Sequence, residues 1–485
     1  MSEPRARCVA EELVYESDWL ASRPLFYNVK SGAASHNINE VIDLAEFEFD
    51  PEGFNDYLDF GFSVFEHSPV RDVRLLRHSA RLFRGPQGLH VEYLDDPASG
   101  WLDRQSTVDE VFEVASAKIN EAAGNDGEIV VPTSGGLDSR LLDSLVGDRS
   151  RVRAFTYGVS DDPRRSLEAV KARELVRRLG IRWELIPLGY FHHYLADWDA
   201  LFGISTHAHG MYQMEFYRRV LGRVAPGNVV LSGACGEWFA GDDAEVRVVD
   251  VLRGPDHVLE VFRYGRMCAD SRQSCFKSER LGARQLLEDA PGIRTEMLPR
   301  VLTMVRLRMQ LLSYLLRVPA SLGLRPQAPF IDIDLALRML TLPAEQRLDR
   351  RWQREFFARQ GVDLESEAVP GDRRNTLNFQ AMRRVPLEPL DVDLLREVVR
   401  PEYVRWINHN VGPLGYPWEV YWRLNWTPGF RRAVGQTRRF GLRDQRLPAY
   451  AAYLTLRPIQ QLLRRRERFL HGREAEAGRA LQQSA

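Results

Sequence analysis

The stretch Glu128-Ile-Val-Val-Pro-Thr-Ser134-Gly135-Gly136-Leu137-Asp138-Ser139-Arg-Leu-Leu joins a β-branched run to a Ser-Gly-Gly turn and then to a helical pattern. Two adjacent glycines let backbone N–H groups crowd around an anion without Cβ obstruction. A helix that follows adds its positive N-terminal end to the same spot. The chemistry implied is the binding of a nucleotide's phosphates. Asp138 then faces those phosphates, which is tolerable for a carboxylate when a divalent cation sits between them, so Mg²⁺ is implied. No Gly-Lys-Ser/Thr follows the glycines, so this is not a Walker A loop and γ-phosphoryl transfer is not indicated.

A second string, Asn228-Val-Val-Leu-Ser232-Gly233-Ala234-Cys-Gly-Glu237-Trp-Phe-Ala-Gly241, repeats that logic: an apolar strand run, a small-residue turn and an acidic residue. In a doubly wound parallel sheet, ligands sit at the carboxyl ends of strands, so loops distant in sequence can converge on one nucleotide. Between the two, Arg153-Ala-Phe-Thr156-Tyr157-Gly158 reads as a strand. Ser166 to Gly180 has apolar residues at helical spacing and a glycine C-cap.

The Ser-Gly-Gly-Leu-Asp-Ser string resembles the pyrophosphate loop of the ATP pyrophosphatase superfamily, whose members cleave ATP to AMP and pyrophosphate. The second string resembles the Ser-Gly-Glu-Gly-Ala-Asp-Glu-Leu-Phe-Gly segment of asparagine synthetases and their relatives, the β-lactam synthetases and lasso-peptide cyclases. A third, Leu324-Arg325-Pro-Gln-Ala-Pro329-Phe330-Ile331-Asp332, resembles the family's Arg-Val-Pro-Phe-Leu-Asp element before a helix and a Leu-Pro turn, here Leu342-Pro343. The resemblance covers roughly residues 105 to 360. It implies that Ser134, Gly135, Gly136, Leu137 and Ser139 bind the pyrophosphate of ATP, that the main chain of Thr156, Tyr157 and Gly158 holds adenine, and that Ser232 and Gly233 lie close to AMP. Asp138 and Glu237 are implied as the Mg²⁺ ligands. The reaction implied is adenylation of a carboxylate followed by attack of a nitrogen nucleophile.

The chain departs from that pattern in three ways. Ala234 stands where asparagine synthetases carry a catalytic Glu, so free aspartate is not the expected acid; a sugar, peptide or other bulkier carboxylate is. Lysine occurs only at Lys30, Lys118, Lys171 and Lys277, and the family's later lysines are replaced by arginine. Arg350 takes the first of those positions and Arg374 lies near the second, both read as catalytic. Arginine holds phosphate well but is permanently charged and does not shuttle protons near neutral pH. Finally, the segment Asp18 to Tyr27 resembles only the second half of the family's glutaminase domain, and Phe54 to Phe62 its joining region, while Met1-Ser2 replaces the nucleophilic cysteine. Nitrogen is then expected from free ammonium, a separate amidotransferase subunit or an amine on the substrate.

The expected architecture is α/β: a small β-rich, non-catalytic remnant over 1–104, a parallel-sheet ATP pyrophosphatase-like (adenine nucleotide alpha hydrolase-like) domain over 105–350, and a mainly helical extension over 351–485. A chain of 485 residues with 44% hydrophobic content buries a sizeable core. A net charge of −1 argues against a nucleic-acid partner. No apolar run spans a bilayer and the first residues lack a signal-peptide core, so a cytoplasmic location is expected. Cys8, Cys235, Cys268 and Cys275 have no metal-pair spacing.

Other features have plainer readings. His207 and His209, spaced i, i+2, suit packing or capping better than a helical metal pair. Asp332 is equally suited to orienting a site arginine and to capping a helix at Ile333. The Arg457–Leu470 stretch reads as a solvated helix face or an anion-binding one, and Glu474 to Ala485 as frayed. Trp406, Trp418, Trp422 and Trp426 suit a substrate lid or a helical cap. The alternative to an enzyme is an ATP-binding regulatory or scaffolding protein that has lost catalysis.

Overall fold

The computed structural model describes residues 11–101, 103–242, 251–264, 268–367, 369–412, 430 and 445–483. Ser2, Cys8, Trp418, Trp422 and Trp426 lie outside them. At its centre are five parallel strands in the order β11 (Arg325–Gln327), β10 (Val229–Leu231), β7 (Ile129–Pro132), β8 (Val152–Thr156), β9 (Arg182–Leu185). Ile129, Val130, Val131, Val230 and Leu231 are completely shielded from solvent. That accounts for unbroken apolar runs where an alternating pattern would mark a half-exposed sheet.

From β7 the chain passes through helix α3 (Leu137–Leu145) to β8 on one side. From β10 it continues to β11 on the other. The carboxyl ends of β7 and β10 are therefore the point where the connections diverge, the place at which a doubly wound sheet opens a crevice for a ligand. Both glycine-containing strings start there.

Among the described residues, six strands precede this sheet, in two antiparallel groups ordered β1-β5-β6 (Glu12–Glu16, Ala80–Gly85, Gly88–Tyr93) and β3-β2-β4 (Ala34–Ser35, Phe26–Asn28, Val73–Leu75). Helix α1 (Pro51–Phe60) lies among them, started by Asp50, whose side chain accepts the Gly53 N–H at 2.9 Å. Its Phe54, Tyr57 and Leu58 are buried in the same continuous core as the central strands. The Trp19 indole N–H donates to the Ile331 carbonyl at 3.0 Å, which ties the first strands to the turn after β11. Helix α2 (Val108–Ala123) enters the sheet domain behind a capping box of Thr107 and Glu110.

Helix α4 (Leu167–Leu179) ends on Gly180 at φ 69°, as its sequence predicts. Asp332 caps the helix Ile333–Leu340, accepting the Asp334 N–H at 3.1 Å and the Leu335 N–H at 3.3 Å. It also meets Lys118 at 3.0 Å. His207 and His209 stack on each other 5.8 Å apart, and burial pushes the imidazole pKa values down to about 3 and 4, so both are neutral packing groups. One expectation fails: the C-terminal segment does not fray at Glu474, because the helix Arg446–Gln483 runs through it. Its Arg-Glu-Ala-Glu-Ala and Ala-Leu-Gln-Gln composition carries high helix propensity. Among the described residues no helix is long and apolar enough to cross a membrane.

Trp352 is fully buried, packs edge-on against Phe112 at 5.3 Å, and donates its indole N–H to the Ala240 carbonyl at 3.1 Å. It thereby anchors the helix Arg351–Arg359 to the helix Gly236–Ala240 that carries Glu237. Trp352→Ala is expected to lower unfolding stability by about 3–5 kcal/mol in urea melts.

Candidate functional site

Thr133 leaves β7 buried, with its N–H on the Phe155 carbonyl at 2.9 Å. The chain then turns through Ser134, Gly135 and Gly136 into α3. Gly135 is in the left-handed region at φ 69°, and a Cβ there would sit 2.6 Å from the Lys171 Cβ and 2.7 Å from the Ala172 nitrogen of α4. Both its conformation and its closeness to α4 exclude a side chain. The Ser134 N–H donates to Ser139 Oγ at 3.2 Å, the two hydroxyls are 3.3 Å apart, and the Gly136 N–H donates to Ser134 Oγ at 3.2 Å. No side chain caps α3, and an uncapped helix N-terminus is a place where an anion can bind.

The second loop closes on the first. Ser232 donates its N–H to the Gln327 carbonyl at 2.8 Å. A Cβ on Gly233 would lie 3.1 Å from the Asp138 Cβ; on Gly236 it would lie 2.8 Å from both Asp138 Oδ1 and Phe330 Cδ2. The two glycines let the Ser232–Glu237 turn touch Asp138. Glu237 follows at the start of its helix, after Cys235, which is itself left-handed at φ 64°. Asp138 and Glu237 thus share one low-dielectric spot. Burial raises the Asp138 pKa, opposed by Arg350. Burial and the Asp138 charge together raise Glu237 to about 7, again opposed by Arg350.

Arg350 comes from the turn before the helix Arg351–Arg359, where Asp349 and Arg350 both adopt left-handed backbone at φ 51° and 56°. Such residues cost roughly 1–3 kcal/mol each and persist where their surroundings hold them. Here the Arg350 Nε–H donates to Gln353 Oε1 at 2.7 Å, and the guanidinium makes an ion pair with Asp138. The arginine that the sequence resemblance sets at a family lysine position is therefore delivered to the carboxylate beside the 134–139 loop.

The remaining predicted positions spread outward. Thr156 ends β8 next to the loop, and Tyr157 and Gly158 follow it. The Thr156 hydroxyl donates to the Thr133 carbonyl and accepts the Trp183 indole N–H at 2.8 Å, while the Tyr157 ring packs on Tyr212 and Phe216 at 5.6 and 5.4 Å. Leu137 opens α3. Arg374 is placed elsewhere: it pairs with Asp372 at 2.6 Å and lines a cavity of about 740 Å³ with Asp161, Arg164, Arg165 and Arg173, to which no residue of the 134–139 loop contributes. Reading the sequence missed Arg140 and Glu365, whose ion pair lies directly behind the loop. Arg140 directly follows the motif and offers a hint; Glu365 offers none.

Beneath the loop, the Thr133 hydroxyl donates to Asp143 Oδ2 at 2.9 Å. Burial lifts the Asp143 carboxyl to about 7, against the Thr133 hydrogen bond and the Arg149 charge. A carboxyl with a raised folded-state pKa binds its proton more tightly folded than unfolded, so its ionisation removes stability as pH climbs from about 4 to about 7. Asp143→Asn should flatten the fall in urea-melt stability across that window. Gly135→Ala should cost roughly 2 kcal/mol or more by the same assay, through left-handed strain and overlap with α4.

A family model, asparagine synthase, matches residues 119–360. No curated protein matches. Among solved structures, the NH3-dependent NAD synthetase from Campylobacter jejuni, in complex with the nitrate ion, matches at 13% identity over 43% of this chain and 96% of its own, with a TM-score of 0.21. At that score the fold assignment stands on the sheet order and the family match. Both glycine loops and Arg350 fall inside the matched span, and the chain carries an asparagine synthase domain over residues 119–360.

Proposed function

We propose that this chain is an ATP-dependent synthetase that adenylates a carboxylate, releases pyrophosphate, and passes the acyl group to a nitrogen nucleophile to form an amide. An asparagine synthase domain supports, in general terms, an ATP-using carbon–nitrogen ligase. The observation that carries the finer reading is the meeting of the uncapped α3 loop with two half-buried carboxylates at the divergence point of the sheet.

Ser134, Gly135, Gly136, Leu137 and Ser139 hold the pyrophosphate portion of ATP in this reading, Thr156 to Gly158 face adenine, and Ser232 and Gly233 lie beside the α-phosphate. Asp138 and Glu237 fit a Mg²⁺ ion: they are like-charged, desolvated and opposed by one guanidinium, so a cation relieves their repulsion. Among the described residues no group of three or more His, Cys, Asp or Glu is arranged for a metal. Mg²⁺ tolerates this, since one or two carboxylates plus phosphate oxygens and water complete its shell. When bound, the ion supplies charge neutralisation at the phosphates. Arg350 serves as the fixed cation that stabilises negative charge as pyrophosphate departs. Arg374, paired with Asp372 on its separate wall, takes no part at the phosphates in this reading. The division at 1–104, 105–350 and 351–485 is part of this reading, with the first unit non-catalytic toward glutamine.

Ala234 is 9% exposed and follows directly on the Ser232-Gly233 turn. A methyl group there leaves the acceptor side without an acidic side chain, which favours a sugar, peptide or other bulky carboxylate over aspartate. The runner-up reading, an ATP-binding regulator without catalysis, is favoured by one observation: the guanidinium of Arg350 already engages the carboxylate that the cation needs.

Isotope exchange between pyrophosphate and ATP, run against a library of carboxylates, separates the two readings. Carboxylate-dependent exchange, lowered at least a hundredfold by Asp138→Asn, is the expected result; ATP binding without AMP formation for any acid supports the regulator. The purified chain is also expected to release no glutamate from glutamine.

A further inference from the structure

Behind the phosphate-type loop lies a guanidinium with no part in the chemistry proposed above. Arg140 is completely buried. Its Nη2–H donates to the Gly135 carbonyl at 2.7 Å and its Nη1–H to the Val362 carbonyl at 3.2 Å; both nitrogens reach the Glu365 carboxylate, at 2.9 and 2.5 Å. Its plane lies over Phe357 at 4.8 Å. Lys171 Nζ adds a contact to Glu365 at 2.8 Å, and Arg178 holds the Gly361 carbonyl at 2.9 Å and Glu367 at 2.5 Å. Residues 361–367 are thereby strapped across α3 and α4, with the loop held between those helices. Burial disfavours charge on Glu365, yet the hydrogen bonds from Arg140 and Lys171 hold its carboxyl down at about 2.

The strap acts on one peptide group. A trans peptide is planar, so its C=O and N–H point to opposite sides and fixing one edge fixes the other. The carbonyl of the Gly135–Gly136 peptide is on Arg140, while its N–H points to Ser134 Oγ, on the side where the two serine hydroxyls gather. Glycine is required at 135 by its closeness to α4, but a glycine on each side also makes this peptide easy to rotate. A rotated peptide would aim its carbonyl oxygen at the anion. We propose that Arg140 and Glu365 are positioning residues that hold the Gly135–Gly136 peptide with its N–H toward pyrophosphate, so that a segment from beyond the sheet sets the loop's donor geometry. This rests on the reading of the loop as a pyrophosphate site.

Calorimetric titration of the full chain with inorganic pyrophosphate and, separately, with AMP, both with Mg²⁺, tests it. Arg140→Lys cannot keep the fork of contacts, and Glu365→Gln keeps the shape but not the charge. Each is expected to weaken pyrophosphate binding roughly tenfold or more while AMP affinity stays within about twofold, as the loss of one charge-assisted donor predicts. Phe54→Ala, a core change on α1 whose ring packs on Phe49 and Phe276, lowers stability and should leave the ratio of the two affinities unchanged. Unaltered pyrophosphate affinity in folded Glu365→Gln overturns the proposal, as does an equal loss of both ligands. Failure of the wild-type chain to bind either probe overturns the pyrophosphate reading and the inference with it.

Discussion

The carboxylate of Asp138 sits beside the Ser134–Ser139 turn, where it is both desolvated and close to a second acid, and the rest of the site is arranged around that conflict. Coulomb repulsion in a low-dielectric crevice is strong, so the arrangement is stable only with positive charge nearby. Arg350 provides it from one side, at the expense of two consecutive left-handed residues. Gly233 and Gly236 provide the approach from the other, because a Cβ at either position would collide with Asp138 or crowd it.

Elements outside the sheet keep these parts in register. Trp352 ties the Arg350 helix to the helix of Glu237, so the cation and the second acid move together. Trp19 packs against Phe239 at 5.8 Å and donates to the Ile331 carbonyl, bringing the first antiparallel strands to bear on the turn after β11. The five-stranded parallel sheet lies within the asparagine synthase domain, and its flanking units act as braces for the loops at its carboxyl edge.

How much of this was legible beforehand follows from the range of the forces involved. The parallel strands, the loop at 134–139, the Gly180 cap and the second glycine turn were readable because strand burial, helix periodicity and backbone conformation leave local marks on residue type. The Asp332 cap was one of two readings of a local pattern, and the structure chose between them. Arg140 with Glu365 and Asp143 with Thr133 were not legible, since their meaning depends on which distant segment closes over them. Arg350 and Arg374 illustrate the same limit. Both were matched to family lysines by position alone, yet one reaches Asp138 and the other pairs with Asp372 on a different wall. The helix continues past Glu474 because alanine, leucine, glutamate and glutamine favour it locally, a signal that the terminal position of the segment obscures.

The central claim is that the Ser134–Ser139 loop and the Asp138–Glu237 pair form one site for phosphates and a divalent cation. Its most direct test is the affinity of the intact chain for ATP by calorimetry, in Mg²⁺ and again in excess chelator. The account predicts ATP binding that weakens by about tenfold or more when the cation is removed, because two carboxylates then face the phosphates unscreened. ATP affinity that is the same with and without Mg²⁺ would contradict it.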